Sequence, residues 1–390
     1  MVCQDVFHIR LHNMEIQAER IIDPRLKTQA IAIISSNHSN GSIISLSSEA
    51  KEEGLCRGMK VSLVRKMSHR TQLLPYNQFL YDRINQYVYK TVSSFTPVVE
   101  PYMLNEFFLD MAGMDSIYNN IKNVGFSIIK RIKDQISIDG TIGISNNKLV
   151  SQIVTAVIPD VVHKINRGHE SQFLAPLNPK FLPIVRIKSI QRILKFLLIK
   201  QISHIQVIAE QSEEFKILFG IYAKTLSREA KGHDTSKVKS YRYRNHILEQ
   251  RILPEDTNDK MILYAIVKDL SERISFKLRK RNQIADSVQL EIHYSDGYNS
   301  CYNGKFAEID DISVFMTCKI LFENANRRRN RIRSILIDAS KFRPYSDQKN
   351  LFFTEEDHSV KVSQAIDIIR AKYGFNSIQT VNVLQALNNH

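Results

Sequence analysis

The stretch Leu104-Asn-Glu-Phe-Phe-Leu-Asp-Met-Ala-Gly-Met114 places large apolar residues between two acids, Glu106 and Asp110. Short runs of this kind, bounded by turn-forming residues, predict strands, and residues 97–111 divide into two such halves, the arms of a hairpin. Working outward, residues 6–11, 30–35, 41–46 and 140–144 are further β-rich runs. Residues 77–94 carry Leu80, Ile84, Val88 and Val92 at four-residue spacing, which makes one face of a helix. Residues 115–135 predict another helix, and Asn146 or Asn147 is placed to cap a third that runs through Val157. The first 165 residues therefore read as an α+β arrangement.

From about residue 172 to 231 the pattern is purely helical, broken at Pro176, Pro179, Pro183 and Gly220. Residues 232–245 are polar and basic without periodicity and read as a linker. Beyond them, 258–281 predicts a long amphipathic helix, 288–294 a strand, 314–324 a second helix and 332–338 a second strand. The tail, 346–390, holds one predicted helix at 361–372.

With 43% hydrophobic and 24% charged residues among 390, the composition is that of a folded multidomain protein. No apolar run reaches the roughly 18–20 residues that span a bilayer, and the N-terminus lacks the pattern of a secretory signal, so a cytoplasmic, nucleoid-associated protein with no membrane partner is expected. Cys3, Cys56, Cys301 and Cys318 are widely separated, which favours neither a disulfide framework nor a zinc site.

The formal charge of +14 is the compositional anomaly and favours a polyanionic partner. Residues 231–345 contain 22 Lys and Arg against 15 Asp and Glu, a net of +7 and half of the excess. The candidate DNA-binding cations are Lys237, Lys239, Arg242 and Arg244 in the linker, Lys277, Arg279, Lys280 and Arg281 at one helix end, and Arg327, Arg328, Arg329, Arg331 and Arg333. Any one cluster is ordinarily a solvated face; three in one region favour phosphate contact.

Six segments in order, HIRLHNMEIQAERIIDPRL (8–26), GLCRGMKVSLVRKM (54–67), LNEFFLDMAGM (104–114), GISNNKLVSQIVTAV (143–157), FLAPLNPKFLP (173–183) and ILPEDTND (252–259), resemble the Y-family translesion DNA polymerases, the polymerase IV and UmuC-like group. The resemblance implies an α+β fold in a right-hand arrangement. It places a palm at 1–11 and 75–168, small fingers at 12–74, a helical thumb at 169–231, a basic linker at 232–247, a DNA-binding little finger at 248–345 and a tail at 346–390.

That family polymerises with two Mg²⁺ ions held by carboxylates. Where the resemblance implies the first metal-binding aspartate, this chain has Arg10, and where it implies an adjacent acidic pair, Asn105 and Glu106. A guanidinium has no lone pair to offer a metal and repels it. The triphosphate-binding positions fall at Ser48, Lys51 and Pro159, the ribose-excluding position at Met14 or Glu15, and the thumb turn 183–188 reads PIVRIK without the family's glycine. Arg186 and Lys188 could substitute charge for the backbone contacts of that turn.

Gln348, Leu351 and Phe352 match the QxxLF pattern by which such polymerases engage the bacterial sliding clamp. Together these features lead to the expectation of a DNA-binding factor of the degenerate ImuB-type branch. It would bind primed or single-stranded, damaged DNA, act as an adaptor to an active polymerase in the SOS damage response, and need no cofactor. The alternative is an active or residually active polymerase using Mg²⁺ through Glu106 and Asp110. A basic protein for RNA or anionic surfaces is a third reading.

Overall fold

The computed structural model describes residues 5–114, 117–118, 120–209, 212–240, 245–345 and 356–388. They fold as two compact units, one built from residues 1–24 and 80–242 and the other from 25–79 and 243–390.

In the first unit a five-stranded sheet runs in the order Val99–Met103, Glu106–Asp110, Val6–Leu11, Gly140–Ser145, Val162–Lys164. The first three junctions are antiparallel and the last is parallel. Val6–Leu11 is central because Val6, Phe7, Ile9 and Leu11 are all buried, with apolar matter on both faces. The helices Ile121–Ile136 and Lys148–Val157 belong to this layer. The former begins at 121, not 115, because the Asn120 side chain accepts hydrogen bonds from the N–H groups of Lys122 and Asn123 and so fixes the first turn. Asn147 caps the latter by accepting from Val150 N–H.

Gly143 governs how closely that helix approaches the sheet. A Cβ at this position would lie 2.2 Å from the Ser151 carbonyl oxygen and 2.9 Å from the Val154 side chain, so only glycine permits the contact. Short helices from Glu170–Leu174 to Ala223–Ala230 close over a core of Leu174, Leu182, Ile190, Leu194, Ile202 and Leu226, which also takes in Leu149, Val150 and Ile153 of the helix Lys148–Val157.

The second unit holds a three-stranded sheet in the order Ile43–Leu46, Ile31–Ile34, Gln72–Pro75, and a four-stranded sheet in the order Asn299–Gly304, Gln283–Tyr294, Ile332–Pro344, His246–Thr257. The four-stranded sheet packs beneath the helices Lys260–Arg281 and Asp311–Ala325 through Leu263, Val267, Leu270, Ile274, Val314 and Phe322. Two of its strands, His246–Thr257 and Asn299–Gly304, escape the periodicity. The first carries Glu249, Gln250 and Arg251 mid-strand, and the second, NSCYNG, is an edge strand with mostly exposed side chains.

The helix Met14–Ile22 lies in the first unit, where the Glu19 carboxylate accepts a 2.7 Å hydrogen bond from the Tyr81 hydroxyl. The tail carries two helices, Glu356–Tyr373 and Val381–Asn388, where the sequence suggested one.

The longer tail helix docks by charge. Arg370, with 2% of its side chain exposed, bonds Glu272 at 2.5 Å and lies 3.7 Å from Asp311. Arg279 joins Asp367 through bonds of 2.6 and 2.8 Å and Asp311 through one of 2.9 Å. The rings of Phe375 and Phe276 meet edge-on beside this cluster, and the Arg370 guanidinium lies 4.1 Å from the Phe375 centroid.

Candidate functional site

Adjacent antiparallel strands set Arg10 opposite Glu106 and His8 opposite Phe108, while Arg10 faces Thr141 on its other side. Alternation along the strand puts His8 and Arg10 on one face of the sheet. Glu106 stands between them: Arg10 Nε is 3.5 Å from Oε1 and His8 Nε2 is 3.5 Å from Oε2. Gln152, on the helix Lys148–Val157, adds a 3.4 Å hydrogen bond to Oε2. One turn further along that helix, Thr155 Oγ1 is 2.7 Å from His8 Nδ1.

Asn105 does not contribute to this cluster. Its side-chain amide donates to the Leu11 carbonyl at 3.2 Å, while its own carbonyl accepts from Leu11 N–H at 2.9 Å. Asp110, four residues along from Glu106, accepts a 2.9 Å bond from Ala112 N–H and shapes the turn after the strand. At about 3.3 Å per residue the two acids are roughly 13 Å apart along the strand, too far to share one ion.

A divalent cation of the Mg²⁺ type needs several anionic or carbonyl oxygens. This cluster offers one carboxylate, already facing a guanidinium and an imidazole. Among the described residues no group of three or more His, Cys, Asp and Glu is placed to hold a metal ion. The residues present therefore do not fit a metal pair, and no chemical step is derived through one.

Burial is the main influence on His8 and holds its pKa below the ordinary value, despite the opposing pull of Glu106. The Thr155 hydroxyl has a single proton and donates it to the Gln152 carbonyl at 2.8 Å, so it is its oxygen that faces His8 Nδ1. For Glu106 burial pushes upward, but His8, Arg10 and Gln152 outweigh it and keep the carboxyl below its usual range.

These shifts give acid sensitivity a definite sign. A His whose folded value lies below the ordinary 6.5 takes up protons more readily unfolded, so its contribution is complete above pH 6.5 and erodes as the pH falls below it. Glu106 erodes in the same direction at lower pH, as protonation removes its advantage over the unfolded carboxyl. Thermal melts from pH 7.5 to 5.5 should show a falling midpoint for the native protein and a shallower fall for His8→Phe. Parallel curves for the two proteins would refute the assignment.

A cavity of about 370 Å³ borders this cluster, lined in part by Tyr102, Phe108, Lys148, Gln152, Arg228 and Ser236. Lys148 is held by Glu100 at 2.7 and 2.9 Å and lies 4.6 Å from the Phe108 ring centroid. His8, Gln152, Thr155 and Lys148 were not singled out by sequence reasoning. Only the two-residue spacing of His8 from Arg10 offered a signal for any of them.

The geometry agrees with relationships found among known proteins. Residues 11–156 match the impB/mucB/samB family, and residues 244–351 match the C-terminal domain of the same family. The chain belongs to the impB/mucB/samB family, the Y-family polymerase lineage. It is 28% identical to DNA polymerase IV of Dehalococcoides mccartyi, over 97% of both chains, and 25% identical to DNA polymerase IV of Clostridium kluyveri, over 98% of this chain and 99% of that one. A solved Y-family DNA polymerase chimera of Dbh and Dpo4 superposes with a TM-score of 0.74 at 17% identity, covering 87% of this chain and 99% of that one. The fold is thus the α+β fold of Y-family polymerases, with palm and fingers sheets, a helical thumb and a little-finger sheet.

Elsewhere in this Y-family chain the remaining sequence candidates are dispersed. Ser48 opens the short helix Ser48–Glu52, on which Lys51 is exposed, and Pro159 is exposed beyond the helix Lys148–Val157. Met14 is buried in the palm, and Glu15 is nearly so. In the thumb, Ile184 N–H donates to the Glu229 carboxylate at 3.0 Å, so this amide is already occupied, while Arg186 and Lys188 are exposed.

The basic little-finger residues separate into two groups. Arg327, Arg328, Arg329 and Arg331 are exposed in or beside the turn before the strand Ile332–Pro344, as are Lys237 and Lys239 in the linker and Lys280 at its helix end. Arg328 pairs with Asp296 at 3.0 Å and lies 4.4 Å from the Tyr298 ring centroid. Arg279 is the correction: with 9% of its side chain exposed, it is spent on Asp311 and Asp367, because the tail helix packs where solvent was expected. Lys277 is paired with Glu249, Arg333 with Asp256 at 2.9 Å, and Arg281 lies over Phe342. Arg242, Arg244, Gln348, Leu351 and Phe352 lie outside the described residues, as does Cys3. No helix among the described residues is long and apolar enough to cross a membrane.

Proposed function

We propose that this chain is a DNA-binding member of the Y family that does not polymerise, serving as an adaptor in damage-tolerance synthesis. The observation that carries the reading is Arg10 beside Glu106, 3.5 Å from its carboxylate, where catalysis by this family needs a metal between acids. Asn105, turned to the Leu11 carbonyl, supports it. The exposed Arg327, Arg328, Arg329 and Arg331 and the linker lysines supply the phosphate contacts.

Purified protein is expected to bind primed or single-stranded DNA with an affinity that falls steeply with salt, and to leave a primer unextended in Mg²⁺ or Mn²⁺. Template-directed extension that is abolished by Glu106→Ala would overturn the reading in favour of an active polymerase.

Gln348, Leu351 and Phe352 would connect the adaptor to a bacterial sliding clamp, with Leu351 and Phe352 as apolar anchors and Gln348 giving orientation. Replacing Leu351 and Phe352 together by alanine is expected to remove clamp association while DNA affinity stays within about twofold, since neither residue is charged. Unchanged clamp binding by the double variant would remove this part of the proposal.

A further inference from the structure

The replacement at position 10 does more than exclude a metal, because it leaves a positively charged fork in the palm. Arg10 approaches Glu106 with Nε, at 3.5 Å, and 39% of its side chain is exposed. Among the described residues it has no other ion-pair partner, and its terminal amino groups make no hydrogen bond. Its base is held by the strand Val6–Leu11, paired on both sides, so the guanidinium projects from a rigid element.

The surroundings suit an anion. Glu106 is balanced by Arg10 itself and is held further by Gln152 and His8, and Glu100 is taken by Lys148. Burial first, and Arg10 second, keep the neighbouring His12 pKa below its ordinary value, so it stays uncharged at neutral pH. A carboxylate site without its cation would repel phosphate; this one carries its cation covalently.

We propose that Arg10 is an anion anchor whose terminal amino groups grip phosphate oxygens directly, making binding at this site independent of divalent cations. A planar guanidinium with its terminal N–H edge open matches two oxygens of one phosphate group, a geometry that lysine supplies only as a point charge. The inference rests on the reading of the palm as a DNA-binding, non-polymerising site. The phosphate belongs either to a DNA primer end or to a nucleoside triphosphate.

The test uses the full-length protein with primed DNA in one arm and dATP in the other, each titrated in Mg²⁺ and in EDTA. In at least one arm, native binding should change less than about twofold on chelation, and Arg10→Gln should weaken that binding about tenfold, the loss of one charge-assisted contact. Arg10→Lys should recover part of the loss, and circular dichroism on each variant separates lost contact from lost fold. The arm that responds identifies the source of the phosphate.

Native binding that collapses in EDTA, or a folded Arg10→Gln that binds both ligands like the native protein, overturns the proposal. Primer extension accompanied by chelator-resistant, Arg10-dependent binding would instead sink the non-polymerising reading and leave the anchor standing. Absence of native binding to either ligand would end both.

Discussion

Arg370→Ala is expected to destabilise the second unit by about 3–5 kcal/mol, the characteristic cost of deleting one partner of a buried ion pair. Arg370 is almost wholly enclosed and bonds Glu272 at 2.5 Å. Burial already pushes the Glu272 carboxyl above its ordinary range, and Arg370 is the chief counterweight. Without it the carboxylate must either stay charged in an apolar setting or take up a proton. The stacking on Phe375 is lost as well. Arg279 cannot substitute, because its bonds go to Asp311, Asp367 and the Ile309 carbonyl. Urea unfolding read by intrinsic tyrosine fluorescence would measure the change, with proteolysis reporting release of the tail helices. A shift below about 0.5 kcal/mol, typical of a surface substitution, would show that the tail is not docked by this cluster.

The second large effect is expected from Arg10→Asp. That substitution removes the only guanidinium facing Glu106 among the described residues and sets two carboxylates on neighbouring strands. In EDTA the like charges should lower the melting temperature. Mn²⁺ should restore it, because a cation that binds only the folded form adds about 2.7 kcal/mol at a hundred times its dissociation constant. The native protein, with Arg10 in place, should show no comparable response. A native midpoint that rises with Mn²⁺ as strongly as the variant's would mean that ions reach Glu106 past the arginine. Equal melting of both proteins in EDTA would mean that the 3.5 Å pair contributes nothing to stability.

Much of the architecture was legible because it rests on local patterns. Val6–Leu11 and Glu106–Asp110 announce themselves by apolar runs, and the helices at 78–93 and 148–157 by spacing and by the Asn147 cap. Strand His246–Thr257 was hidden because its position in the sheet, alongside Ile332–Pro344, is set by tertiary pairing and not by its own alternation. Within the site, Arg10 and Glu106 could be picked out in one dimension, but their register could not. His8 and Thr155 are 147 positions apart and meet only once a helix is laid over the sheet. Arg279 failed for a related reason: a cation near a basic helix end looks solvated until a distant segment supplies Asp367.

Gly143 holds a different kind of leverage. It sits across from His8 in the sheet, beneath the helix that carries Gln152 and Thr155. Here a hydrogen atom in place of a methyl group determines the gap between two layers, and with it whether a threonine hydroxyl can touch a histidine on the neighbouring strand. Drift at this position would therefore loosen the wiring behind Glu106 while every residue in that circuit kept its identity.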